Sequence, residues 1–400
     1  MIVEKVHLYV EKVSKQRKEI LLDFVDENEF QYFKCHGDYN PSQNIIEKEY
    51  QPTMILVHNF SPEKTICKGS LITLDMKSLM ELQQHQIKDD NEIPSSVILE
   101  IHNGSSFADL INNEEICGIS RSVPDEYKRI VTGTWEDSPC ALDHMSPSFE
   151  LRIWDVGQGN TNSIYDGDNL ALFDFGASMY YGTKKIDNII QNHRKILNAA
   201  ERVTLIISHW DLDHFNMLCR VADSFFSDIC CVFCPPIAIG LTASQVIDRI
   251  QDNCNYINVI NPAPKTCRWC GVEKVCERDR YCLYVGEKSS SKNTSGLLLL
   301  VKGKTDAALL TSDHSNYQIW KKVYPDIDEN VEKLHVVIPH HGGKCGNTKV
   351  RNSITPGDAC ISVGGNIYGH PSVSVIDEYI NNGYKVKRTD LCGKDIVEYL

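Results

Sequence analysis

His209-Trp210-Asp211-Leu212-Asp213-His214 follows directly on the apolar run Val203-Thr204-Leu205-Ile206-Ile207-Ser208. The run has the length and β-branched content of a buried strand. It delivers two imidazoles and two carboxylates to a sheet edge, where loops host function. Four potential metal ligands in six residues can hold cations close enough together to clamp a phosphate or carbonyl group and activate water. The competing reading is a polar loop with aspartates serving as helix N-caps.

The pattern recurs further along the chain. Leu309-Leu310-Thr311-Ser312-Asp313 reads as a strand ending on an acid. Leu334-His335-Val336-Val337-Ile338-Pro339 runs into His340-His341-Gly342-Gly343, and Ala359-Cys360-Ile361-Ser362-Val363-Gly364 precedes Tyr368-Gly369-His370-Pro371. Each predicted strand presents a potential ligand at its C-terminal end, which core packing alone does not explain. Upstream, Glu150-Leu151-Arg152-Ile153-Trp154-Asp155-Val156 and Leu170-Ala171-Leu172-Phe173-Asp174-Phe175-Gly176 read as strands. Residues 185–200 have the spacing of a helix, with Ile186, Ile189, Ile190, Ile196 and Leu197 on one face.

These segments resemble the metallo-β-lactamase superfamily, and within it the ComEC-like branch, known as the soluble domain of a DNA-uptake channel. The resemblance rests on Asp155-Val156-Gly157-Gln158-Gly159, Phe173-Asp174-Phe175-Gly176, the 209–214 motif and Asn293-Thr294-Ser295. It continues through Leu310-Thr311-Ser312-Asp313, His340-His341-Gly342, Tyr368-Gly369-His370-Pro371 and Arg388-Thr389-Asp390. The motifs come in family order and span about residues 149–400.

The resemblance implies an αββα sandwich with two divalent cations at one sheet edge. His209 and Asp211 would serve one metal, Asp213 and His214 the other, and Asp313 would bridge them. Either His340 or His341 would complete a site. Asp174 would brace the loop from behind. Asp213, Asp313 and His370 are the expected catalytic residues, His370 contacting substrate or acting as general acid; a structural turn before Pro371 is the alternative for His370. Asp211 stands where many relatives have histidine. The harder donor set favours manganese or magnesium, with zinc still open. Asn160 replaces an acid, Asn216-Met217 a Gly-Gly pair, and Ser312 a glycine, while His314 adds a further imidazole.

The implied function is metal-dependent hydrolysis, of the phosphodiesterase or nuclease class, on nucleic acid or a nucleotide. Hydrolysis of a lactone, thioester or small phosphoester is the alternative within the fold. A non-enzymatic sensor or scaffold subunit of a bacterial defence system is the alternative outside it. The net charge of -13 argues against a broad basic surface gripping long duplex.

Residues 1–146 are expected to form a separate β-rich module, with strands such as Val6–Val10 and 96–101 and a short helix over 76–86. This module carries no chemical motif and is a candidate for binding a protein partner. The polar stretch 138–148 is expected to be the linker, and residues 147–400 the hydrolase domain, with 149–400 folding alone. The sequence has no apolar run long enough for a membrane span and no signal-peptide pattern, so a cytoplasmic location is expected. The 16 cysteines are then expected to be reduced and mostly buried. One cluster, Cys267, Cys270, Cys276 and Cys282, is a candidate structural zinc site.

Overall fold

The computed structural model describes residues 3–36, 52–62, 64–83, 94–95, 97–113, 115, 117–133, 139–265, 271–289, 292–327, 330–347, 354–364 and 369–400. The chain divides into two compact units. One gathers residues 1–130 with 180–186 and 237–249; the other gathers 131–179, 187–236 and 250–400.

The second unit is an αββα sandwich, the fold class expected. Its first sheet has seven strands in the order Ile257–Val259, Ile229–Cys234, Arg202–Ile206, Asn169–Phe173, Asn162–Tyr165, Glu150–Ile153 and Ile396–Tyr399. Its second also has seven: Val272–Glu277, Tyr281–Gly286, Leu297–Lys302, Asp306–Leu310, Lys333–Val337, Thr355–Ile361 and Lys385–Arg388. Alternate residues of both sheets meet in one core. Leu151, Ile153, Ala171, Phe173 and Ile206 come from the first sheet, and Leu283, Leu297, Leu299, Leu310 and Val337 from the second. The outer face of the second sheet carries Leu298, Leu300, Leu309 and Val336. Helical residues Ile319 and Val323, and Val375 and Tyr379 of the helix Val373–Asn381, cover it. On the first sheet, Trp154 stacks on His193 of the helix Thr183–Ala199, with ring centroids 3.5 Å apart.

Each sheet is antiparallel in one half and parallel in the other. Asn169–Phe173, Arg202–Ile206 and Ile229–Cys234 run parallel in the first, and Asp306–Leu310, Lys333–Val337 and Thr355–Ile361 in the second. Asp174, His209, Asp313 and His340-His341 all follow the C-terminal ends of parallel strands. Side chains there converge, because parallel neighbours put the same end at the same edge.

The stretch expected to be a linker is not one over its described part. Cys140, Leu142 and Met145 are buried in the core between the sheets, around a short turn Ala141–His144. The polar residues between them face outward, which is what a linker reading detects; the apolar ones plug the sandwich. Leu142→Ala is therefore expected to lower stability by ~2–5 kcal/mol, as for other large-to-small core changes. An unchanged denaturant midpoint would restore the linker reading. A fragment starting at Phe149 would leave all three positions empty, so the unit that folds alone is expected to start before Cys140.

The first unit is built on a six-stranded sheet in the order Val97–Ile101, Met54–Val57, Glu19–Phe24, Lys5–Ser14, Leu71–Asp75 and Gly118–Ser120. Its core takes Phe24, Phe30, Phe33 and Phe107 with Leu241, which arrives from much later in the chain. Asp23 is buried in this unit. Its carboxyl accepts from the Thr53 hydroxyl at 2.6 Å and from the Thr242 amide at 3.1 Å. Burial pushes Asp23 up to about 8, against the opposing pull of these hydrogen bonds. The folded state thus keeps a proton that the unfolded chain releases near pH ~4. The resulting stability is present at acid pH and is lost as pH rises from there through about 8. Asp23→Asn is expected to remove that slope and to be the more stable form at pH 9, by up to roughly 1.4 kcal/mol per pH unit crossed. Urea denaturation of both proteins at pH 5 and pH 9 measures the difference; parallel loss in both forms would overturn it.

Candidate metal centre

Ser208, His209 and Asp211 follow the strand Arg202–Ile206, and Asp213 and His214 lie in the one-turn helix Leu212–Phe215. Backbone contacts hold this turn against the loop before the strand Asn162–Tyr165 and the loop after the strand Asn169–Phe173. The Asn160 amide donates to the Asp213 carbonyl at 2.9 Å, and the Phe175 amide to the His214 carbonyl at 2.9 Å. The approach leaves no room for a side chain at Gly176, where a Cβ would lie 2.3 Å from the Asp213 carbonyl oxygen.

The imidazoles point inward with one nitrogen fixed and the other open. His214 Nδ1 lies 2.8 Å from Asp174 Oδ2, His341 Nδ1 lies 3.2 Å from the Ser362 carbonyl, and His209 Nδ1 lies 3.0 and 3.1 Å from the hydroxyls of Ser208 and Ser312. The Nε2 atoms of His209, His214 and His341 are buried and make no hydrogen bond. Orphaned buried nitrogens of this kind cost free energy unless something else satisfies them. Fixing Nδ1 on a carboxylate or carbonyl is also how a protein aims Nε2 at a cation.

The oxygens complete the arrangement. Asp211 Oδ2 lies 3.3 Å from His209 Nε2, and Asp213 Oδ2 lies 3.8 Å from His341 Nε2. Asp313 lies between, with Oδ1 3.5 Å from His214 Nε2 and Oδ2 3.9 Å from His209 Nε2. His209, His214 and Asp313 form one group of converging ligand atoms, and Asp213, His214 and His341 another. A pair of divalent cations fits this donor set: buried imidazole nitrogen and carboxylate oxygen, with the three Nε2 atoms making no hydrogen bond.

The electrostatics point the same way. Burial pulls His214 down, but the carboxylates of Asp174 and Asp313 outweigh it and hold the imidazole well above its ordinary value. Burial likewise raises Asp313, and His340 and His214 outweigh it and hold the acid well below the usual carboxylate range. His341 is lowered, chiefly by burial. The field at the centre favours a cation.

His340 and His341, left undistinguished by the sequence, occupy different places. His341 is buried and joins the ligand group. His340 is 38% exposed and sets its Nδ1 2.6 Å from Asp313 Oδ2. Both have left-handed backbones, with φ of 54° and 52°. Asp174 and Ser312 share that conformation at 61° and 50°. Four of the six non-glycine residues with positive φ among the described ones thus line this centre. Such strain, ~1–3 kcal/mol per residue, clusters at functional sites. His370 lies beside His340, with ring centroids 5.3 Å apart.

Asn160, Asn216, Ser312 and His314 each have a physical role. Asn160 donates to Asp174 Oδ2 at 2.6 Å, where an unprotonated acid could not. Asn216 takes the Ala177 amide at 2.7 Å and gives to its carbonyl at 2.9 Å, tying two loops. Ser312 donates to Ser208 Oγ at 2.7 Å, which donates to Asp174 Oδ2 at 2.8 Å. His314 belongs to neither ligand group: it is fully buried, its Nδ1 lies 3.2 Å from the Thr311 carbonyl, and burial pushes it down to about 4.

Sequence reasoning passed over Ser208, Ser362 and Lys292. Lys292 donates to the Trp210 carbonyl at 2.7 Å and lies 3.5 Å from Asp211 Oδ1. Lysine and serine are too common for their type alone to mark a site.

The proposed four-cysteine zinc site does not hold together. Cys267 and Cys270 lie outside the described residues. Cys276 packs toward the inter-sheet core, while Cys282 packs into the opposite, outer face of the same sheet. Cys276 is paired with Leu283, so Cys282, one residue away, points to the other side. One tetrahedral ion cannot reach both thiols.

No family model matches the sequence, and no curated protein matches it. Among solved structures, the chain is similar to a metal-dependent hydrolase of the beta-lactamase superfamily, at 12% identity over 62% of this chain and 98% of that one, with a TM-score of 0.38. It is similar to the metallo-beta-lactamase fold protein YhfI from Bacillus subtilis at 11% identity, over 63% and 100%, with a TM-score of 0.37. It is also similar to the short form of human tRNase Z at 12% identity, over 46% and 76%, with a TM-score of 0.30.

Proposed function

We propose that the protein is a metal-dependent hydrolase with a two-cation centre that cleaves phosphodiesters, in a nucleic acid or a nucleotide. The observation that carries this reading is the set of three buried, unpaired Nε2 atoms facing three carboxylates. His209, Asp211 and Asp313 would hold one cation, and Asp213, His214 and His341 the other, with Asp313 reaching both. Bound divalent cations supply Lewis acidity: they make water a nucleophile at neutral pH and offset charge on phosphate oxygens.

The chain's own residues do the rest. Asp174 holds the proton of His214 on Nδ1, which keeps Nε2 free to ligate. The Ser312-Ser208-Asp174 chain orients His209 in the same way. Asn293 donates to Asp313 Oδ2 at 2.6 Å, steadying the shared carboxylate. The exposed His340, in contact with Asp313 and beside His370, is positioned to hand a proton to a departing oxygen, as a general acid does.

Metal analysis of the purified full-length chain should find two divalent cations. Cleavage of a bis-aryl phosphate should disappear on chelation and return with one of manganese, magnesium or zinc. Labelled single-stranded DNA and RNA follow as substrates. Activity that survives exhaustive chelation would sink the proposal; inactivity on every phosphodiester with activity on a lactone would move the reading to the other substrate class.

A further inference from the structure

A second cluster of potential ligands belongs to the other unit, in its six-stranded sheet. Strand register creates it. Ile20 pairs with Val57, and Val57 pairs with Ile101. One residue along, this row brings Glu19, His58 and His102 side by side across three neighbouring strands. Glu100, two residues before His102, projects on the same face as it. The turn after the strand can close because residue 104 is glycine: a Cβ there would lie 2.1 Å from the His58 carbonyl oxygen.

The side chains converge on one carboxylate. His58 Nε2 lies 3.4 Å from Glu100 Oε1, and His102 Nε2 lies 3.8 Å from Glu100 Oε2. The two rings stack nearly parallel, with centroids 4.8 Å apart and an interplanar angle of 5°. His58 Nδ1 lies 3.0 Å from Glu19 Oε1. Glu19 is itself held by Arg17 at 3.1 Å and by the Tyr180 hydroxyl at 3.0 Å. A carboxylate fixed behind an imidazole sets its tautomer and turns its other nitrogen outward as a ligand.

We propose that His58, Glu100 and His102 form a zinc site, separate from the hydrolytic centre, that clamps the edge strand Val97–Ile101 to its neighbour. The spacing is close to what the ion needs: tetrahedral zinc with bonds of ~2.0–2.1 Å separates its ligand atoms by about 3.3–3.4 Å, against 3.4 and 3.8 Å from the two imidazoles to the oxygens of Glu100 and no more than 4.8 Å across the group. Two imidazoles and one carboxylate are a recurrent zinc set, and the pocket is half-buried, so solvent can supply a fourth ligand. A lone protonated His58 between Glu19 and Glu100 explains two of these contacts. It does not explain why a second imidazole stacks on it with its own Nε2 turned to the same carboxylate.

The test is zinc stoichiometry on the full-length chain, stripped with chelator and then dialysed against zinc. Glu100→Gln and His102→Ala are each expected to bind one zinc fewer per chain than the unsubstituted protein. A chain carrying His209→Ala and His341→Ala, with the hydrolytic centre disrupted, should keep one tightly held zinc whose X-ray absorption spectrum shows two imidazoles. Unchanged stoichiometry in a folded Glu100→Gln chain overturns the proposal. So does a folded His209→Ala/His341→Ala chain that holds no zinc; this second arm decides if the first variants do not fold. The two arms alter separate residues, so failure here leaves the hydrolase reading standing, and the reverse.

Discussion

Asp313→Asn is expected to strip turnover from the protein while leaving its fold in place. The substitution keeps size and shape but removes the one charge that faces both ligand groups. Asp313 lies 3.5 Å from His214 Nε2, 3.9 Å from His209 Nε2 and 2.6 Å from His340 Nδ1. An amide there turns a nitrogen toward imidazole nitrogens and offers a cation only a weak oxygen. Changing a group that merely orients a ligand costs ~10–100-fold in affinity or rate; losing the shared carboxylate should cost more. Metal content should fall below two per chain, and kcat on a bis-aryl phosphate should fall further than KM rises. Full occupancy with unchanged turnover in this variant would remove Asp313 from the centre.

Asp174→Ala is expected to damage stability and metal binding together. Its buried carboxylate accepts from the Ser208 amide at 2.6 Å, the Ser208 hydroxyl at 2.8 Å, His214 Nδ1 at 2.8 Å and Asn160 Nδ2 at 2.6 Å. Alanine leaves these donors buried without an acceptor, at ~1–3 kcal/mol each before relaxation. A net loss of roughly 3–5 kcal/mol is expected, the scale of breaking a buried charge pair. His214 also loses the contact that fixes its tautomer, so metal affinity should fall ~10–100-fold. Denaturant unfolding and competition with a chromophoric chelator read the two effects separately. Lost stability with intact metal affinity would make Asp174 a packing residue only.

Much of the second unit was legible because its strands announce themselves twice. The strands Arg202–Ile206 and Asp306–Leu310 are apolar enough to be buried, and each is followed within three residues by a carboxylate or imidazole. Burial and a polar terminus are local properties, readable without contacts. The cysteine cluster failed on that very ground: spacing along the chain says nothing about which face of a sheet a thiol takes, and Cys276 and Cys282 take opposite ones. The 139–148 segment misled for a similar reason. Proline, serine, aspartate and histidine make up six of its ten residues, while the apolar side chains of Cys140, Leu142 and Met145 decide its position.

The strands of the second unit and the potential ligands that end them were legible in the sequence itself, because apolar runs and the residues that end them are local; the αββα class was implied only by the resemblance of those motifs, in their order, to a known family. Which histidine of the pair at 340–341 faces the centre was decided only by the tertiary structure, since adjacent residues of like chemistry differ in burial alone. The same is true of the return of Thr242 and Leu241 to the first unit, and of the meeting of Glu19, His58, Glu100 and His102. Those contacts join segments far apart along the chain; strand register brings the four residues of the sheet together, and tertiary packing returns the helix Leu241–Asn253 to it.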